Sequence, residues 1–239
     1  MPGSALASPT TFAQTTQNNT TPQFSVVQNG GTTTISASGQ DFFTFLVGGT
    51  PFGAPVLANF TLSATTTQTG TCGSLGCPNG DSFTQQGYSG TFSYLVAAGA
   101  FAGMNLLSGT FGVNGTPANS GGSFSAHIGG STDGYAASQT LANPTGVVMT
   151  SAFLDFSGVS VESSAWAFSG GTPNFAVNPT ATTVSLPANA VTFLQSGVGT
   201  FASEPPPGTF GAPEPASMAL MGSALIGLGL LGRKRFANR

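Results

Sequence analysis

The first 232 residues of this 239-residue chain contain neither lysine nor arginine. Its four basic side chains, Arg233, Lys234, Arg235 and Arg239, are held back to the last seven positions. Charged residues make up 5% of the chain, against about 25% in an ordinary soluble protein. Asp41, Asp81, Asp133, Asp155, Glu162 and Glu204 precede residue 213 with no cation to balance them. A body of this kind cannot neutralise phosphates, which excludes nucleic acid as a partner. It is also repelled by anionic membrane surfaces. Solubility has to come from Thr, Ser, Asn, Gln and Gly, a surface that suits an extracellular protein. The one histidine and two cysteines are too few and too far apart for a zinc site. No metal and no cofactor is expected. A helical stripe sustained over three turns is missing between residues 23 and 201.

Twenty phenylalanines separate this chain from disordered ones, which are poor in aromatics. They fall in short runs with Val, Leu and Thr: 24–27, 33–37, 41–47, 59–65, 90–96, 108–113, 122–128, 147–156, 164–169 and 190–194. Phe60 and Leu62, then Phe92, Tyr94 and Val96, alternate with small polar residues, the period of a strand with one buried face. Asn29-Gly30, Asn79-Gly80, Asn114-Gly115 and Asp133-Gly134 supply the positive φ of tight turns. The expected fold is all-β, an antiparallel sandwich or jelly roll. A β-solenoid is the alternative, and the Gly-Thr/Ser-Phe recurrences are too unevenly spaced for it. Residues 1–22, rich in Thr, Gln and Asn, read as a flexible leader, 23–201 as the β domain and 202–212 as a stiff Pro-rich linker.

Catalytic motifs are weak. His127 has no nucleophile elbow to serve. Asp155 and Glu162 flank a predicted hairpin and read as solvent-facing turn acids before they read as a glycosidase pair. Asp81 and Asp133 sit in loops without the repeat of a calcium site. The two matches to a dinucleotide fingerprint, at 197–202 and 227–232, follow no strand that opens into a helix. Trp166, Tyr88, Tyr94 and Tyr135 allow a sugar-stacking platform, although the small neighbours of Trp166 favour core packing. The threonine runs 32–34 and 65–67 raise an ice-binding surface, but consecutive strand residues face opposite ways. Cys72 and Cys77 read as a local disulfide in an exported protein, with free thiols as the alternative.

The C-terminus carries the strongest pattern. Pro213-Glu214-Pro215 precedes 17 uncharged residues, Ala216 to Gly232, and then Arg233-Lys234-Arg235. As a helix that stretch rises about 25 Å, close to a ~30 Å hydrocarbon core. The basic cluster would act as a membrane stop and keep the C-terminus cytoplasmic. The three-part order resembles a PEP-CTERM sorting signal of Gram-negative bacteria, over roughly the last 27 residues. The resemblance implies Sec export, then recognition by a membrane-embedded exosortase that cuts near Pro213, Glu214 and Pro215. It also implies association with exopolysaccharide or biofilm matrix. Ser4-Ala5-Leu6-Ala7-Ser8 has the A-x-A pattern of a signal-peptide end, without basic and apolar regions before it. The expected function is an exported structural or adhesive matrix protein, not an enzyme. The alternatives are a carbohydrate- or ice-binding module and, behind it, a matrix polysaccharide hydrolase.

Overall fold

The computed structural model describes residues 9–112, 121–128, 132–140, 147–159, 161–169, 175–186, 188, 190–195 and 199–209. Among these, every regular element is a strand. In chain order they are β1 (Thr10–Gln17), β2 (Phe24–Asn29), β3 (Thr32–Val47), β4 (Thr50–Thr66), β5 (Gly70–Cys72) and β6 (Ser82–Val96). β7 (Asn105–Phe111), β8 (Gly121–His127), β9 (Thr132–Thr140), β10 (Val148–Thr150), β11 (Leu154–Asp155) and β12 (Val161–Trp166) follow. The last are β13 (Phe168–Ser169), β14 (Ala176–Val177), β15 (Thr183–Ser185), β16 (Val191–Gln195), β17 (Gly199–Glu204) and β18 (Gly208–Thr209).

The pairings close on themselves. β1 pairs with β3, β3 with β4, β4 with β6 and β6 with β8. β8 pairs with β9, β9 with β12, β12 with β17, and β17 returns to β1. All eight ladders are antiparallel. Short strands extend the staves of this ring: β2 continues β1 along β3, β7 precedes β8 along β6, and β16 precedes β17. The result is an up-and-down barrel of eight staves, a closure that leaves the ring without an edge. This corrects the expected sandwich or jelly roll. Alternation marks one buried face on each strand, but it does not say whether that face meets a second sheet or curls onto itself.

The barrel is filled, not hollow. Phe43, Phe60, Phe92, Tyr94, Trp166 and Phe201 pack together inside, with Phe60 stacked on Tyr94 at 4.5 Å and Phe92 edge-on to Trp166 at 5.3 Å. Phe24, Phe168, Phe193, Phe124 and Phe83 continue the core. Two glycines make room for these rings. A Cβ on Gly109 would stand 2.3 Å from the Phe92 ring, and one on Gly70 would stand 2.2 Å from Phe83.

Antiparallel order assigns each connection to a rim. One rim carries Thr10, the β3–β4 turn, the β6–β7 loop, the 151–159 segment and Glu204. Phe153 and Phe156 fold over this rim, against Phe45 at 6.0 Å and Phe12 at 5.5 Å. The opposite rim carries the Gly30-Gly31 turn, with φ of 55° and 83°, the Cys72–Cys77 loop and the β14–β15 hairpin.

Several boundaries differ from the expectation. Residues 10–17 are not a leader: β1 closes the ring, with Phe12, Ala13 and Thr15 buried. Three inward residues among polar ones leave too faint a pattern to outweigh composition. β17 likewise runs to Glu204, into the expected linker. Asp133-Gly134 lies within β9, where a register shift between Ser125 and Ala126 absorbs it, and is not a turn. The run 147–156 is a strand only at 148–150 and 154–155.

Candidate functional site

The outward face of five neighbouring strands carries hydroxyls in three registered rows. Ser38 on β3 pairs with Thr61 on β4, Thr61 with Ser93 on β6, Ser93 with Ser108 on β7, and Ser108 with Thr150 on β10. One pleat along, Ser36, Ser63, Thr91, Thr110 and Val148 form a second row in the same register. Thr34, Thr65 and Ser89 form a third. The rows lie about 7 Å apart and their members about 4.8 Å apart, as pleat and ladder require.

Between the first two rows lies a depression of about 320 Å³. Thr61, Thr91, Ser93, Ser108, Thr110 and Thr150 supply its hydroxyls; Val148, half exposed, supplies its apolar wall, and Phe92 and Gly109 lie at its floor. Thr61 and Ser93 share a hydrogen bond at 2.8 Å, as do Ser108 and Thr150 at 3.1 Å. Asn105 Nδ2 donates to Ser108 Oγ at 2.8 Å and fixes its direction. The lining has no ionisable group, so its chemistry is hydrogen bonding and contact. Sequence reasoning looked for threonine along single runs and missed this array, which is assembled across strands. Within those runs Thr33 and Thr66 point inward, where Thr33 accepts from Gln85 and Thr66 donates to the Gln86 carbonyl.

The interior holds a different group of polar residues. Trp166 Nε1 donates to Tyr94 Oη at 2.8 Å, and Thr15 Oγ1 lies 3.5 Å from the same oxygen. Asp41 is fully buried beside Tyr94 and Gln23. These two partly offset its burial, yet neither completes a hydrogen bond of good geometry, and both carboxyl oxygens stand without one. Burial pushes the Asp41 carboxyl up to about 7. Burial also raises the Tyr88 and Tyr94 hydroxyls well above the ordinary tyrosine range.

The sequence candidates are dispersed. Glu162 is not a solvent-facing turn acid: it points inward, accepts from the Met149 amide and is pushed up to about 7 by burial. Asp155 lies in the rim segment, lowered by hydrogen bonds from Ser157. His127 ends β8 at the opposite rim, so these three do not form one constellation. Asp81 accepts from the Ser74 amide at 2.6 Å and the Ser82 amide at 3.0 Å, which ties down the loop closed by the bonded Sγ atoms of Cys72 and Cys77. Trp166, Tyr88 and Tyr94 are core residues, not an exposed platform. Asp133 and Tyr135 lie on β9, whose side chains fall outside the described set. Pro213, Glu214, Pro215, the segment 216–232 and Arg233, Lys234 and Arg235 also lie outside the described residues. Among the described residues no helix is long and apolar enough to cross a membrane and no acid, His or Cys cluster suits a metal.

Residues 212–235 match the PEP-CTERM protein-sorting motif. The motif marks an exported protein that exosortase recognises and that is processed while anchored at the membrane. No curated protein and no solved structure matches the chain.

Proposed function

We propose that this chain is a structural or adhesive component of an exopolysaccharide or biofilm matrix, and that its barrel binds polysaccharide through the hydroxyl rows of β3, β4, β6, β7 and β10. It is a binding protein, not an enzyme. Sec carries it across the inner membrane of a Gram-negative cell. Residues 216–232 span the bilayer, Arg233, Lys234 and Arg235 stop transfer, and exosortase cuts near Pro213-Glu214-Pro215 to leave the barrel at the cell surface or in the matrix. The observation that carries the binding role is the uncharged depression, in which six hydroxyls surround Val148, Phe92 and Gly109. Hydroxyls in fixed register meet the alternating donors and acceptors of a sugar ring, and Val148 meets its apolar face. The acidic body disfavours anionic glycans, so the substrate class is a neutral polysaccharide.

Co-sedimentation of the detergent-solubilised full-length chain with insoluble neutral glucan, against alginate, tests this. Retention on the glucan is expected, with a loss of about thirtyfold in a Thr61→Val, Thr150→Val double variant, which removes hydrogen bonds worth roughly 1 kcal/mol each. Equal retention of the double variant, or no retention of either, overturns the reading. The same rows support a second reading, an ice-binding face. Neighbouring strands rotate by roughly 20–25°, which carries the rows off a planar lattice. Thermal hysteresis from the same preparation would favour ice over glycan.

A further inference from the structure

The rim from which Glu204 leads toward the sorting motif also exposes four large apolar side chains. Val47, Phe52, Phe101 and Met104 are 60%, 69%, 61% and 37% exposed, and all four belong to this rim. The β3–β4 hairpin stands out from the barrel, with residues 47–55 exposed on both faces. Its tip, Val47 to Val56, is ValGlyGlyThrProPheGlyAlaProVal, without a charge. The neighbouring β6–β7 loop, Ala97 to Met104, is AlaAlaGlyAlaPheAlaGlyMet, again without a charge. The Ala97 amide donates to the Leu57 carbonyl at 2.9 Å, which stitches the loop to the stem of the hairpin. Within the loop, Gly103 donates to the Val96 carbonyl and Val96 to the Met104 carbonyl, so Phe101 is carried on a closed turn. Asp155, Glu162 and Glu204 are the acids described at this rim, and none lies in the two tips. The opposite rim presents Leu75 within a loop that also carries Asp81, and Val177 on the short β14–β15 hairpin, so its exposed apolar residues are single, one to each element.

A single exposed phenylalanine needs no explanation, but two uncharged tips held side by side at one rim do. We propose that the β3–β4 tip and the β6–β7 loop enter the outer leaflet of the bilayer and seat the barrel on the membrane while its C-terminal tail is still attached. The proposal rests on residues 216–232 being the membrane segment. Residues 205–215, fully extended at about 3.5 Å each, reach no more than about 40 Å. That reach holds the rim no more than about 40 Å from the lipid surface. Insertion of uncharged aromatic and aliphatic tips depends on buried apolar area and needs no anionic lipid. The cation-free barrel meets that condition, since it would be repelled by acidic headgroups. Two contacts plus a covalent tether fix an orientation that a single attachment point cannot. Both tips are spent on lipid only in the anchored form, so removal of the tail also weakens the hold of the rim.

Full-length chain in phosphatidylcholine vesicles with brominated acyl chains provides the test. Trp166 is the chain's one tryptophan and is buried, so its emission reports an intact core. Phe52→Trp and Phe101→Trp place reporters on the tips, and Leu75→Trp places one on the opposite rim. The tip reporters are expected to lose about half their emission or more relative to unbrominated vesicles, as side chains buried in the acyl boundary would, while the Leu75→Trp reporter is unchanged. In a Val47→Trp background, adding Phe52→Asp with Phe101→Asp is expected to abolish the quenching, with the Trp166 emission kept. If the chain floats with the vesicles but the tip reporters are quenched no more than Leu75→Trp, the proposal is overturned. If the chain does not float at all, the membrane reading of residues 216–232 fails first, and the seating of the rim fails with it.

Discussion

At Asp41 a carboxyl is buried beside Tyr94 and Gln23 with neither oxygen properly hydrogen-bonded. An unfolded aspartate titrates near 3.9, whereas burial lifts this one to about 7. The folded chain therefore holds a proton that the unfolded chain releases. Below about pH 4 both forms are protonated and nothing is lost. As the pH rises toward 7 the unfolded state is increasingly favoured, and above 7 the cost is complete. Glu162 acts with the same sign, in a more open and better screened position. Urea unfolding should thus show greater stability at pH 5 than at pH 8, by a margin on the order of 3 kcal/mol. Asp41→Asn should flatten that dependence and be the more stable form at pH 8. Glycine at position 90 is a second point of constraint. A Cβ there would lie 2.1 Å from the Ser63 carbonyl oxygen and 2.5 Å from the Ala64 Cα. Backbone cannot yield as a side chain can, so Gly90→Ala is expected to cost about 1–3 kcal/mol by the same measurement.

The strands themselves show what could and could not be read beforehand. Runs such as Phe60–Leu62 and Phe92–Val96 announced β4 and β6, because large apolar and small polar residues alternate without interruption. β1 and β9 carry no such signal, one lying in a Thr- and Gln-rich stretch and the other built largely from small and polar residues around a single Tyr. Closure was equally out of reach, since it depends on β1 meeting β17 across nearly the whole chain. The hydroxyl rows escaped for a related reason: their order runs perpendicular to the sequence. The Cys72–Cys77 bond encloses a short loop that Asp81 already holds through two backbone amides. A Cys72→Ser, Cys77→Ser variant should lose at most about 2 kcal/mol. Calorimetry should find a modestly lower melting temperature and the same single transition.

Taken together, the barrel reverses the arrangement of a membrane-spanning one. Such barrels present an apolar band outward and polar groups inward, whereas here Phe, Tyr and Trp fill the interior and Ser and Thr clothe much of the described exterior. The body has no lysine or arginine, so no side-chain ion pair can contribute to its stability apart from those of His127. Raising sodium chloride from about 0.05 to 1 M should therefore move the melting temperature little, beyond the slight gain from screening acid–acid repulsion.

Ring closure also decides how this barrel would bear a load. Tension passed from an anchor into Glu204 acts along β17, which is laced on one side to β12 and on the other to β1. A pull along the strand axis has to break both ladders in shear, many bonds at once, whereas a strand at an open border would unzip one bond at a time. A barrel moored through that strand would meet a pull with its strongest geometry.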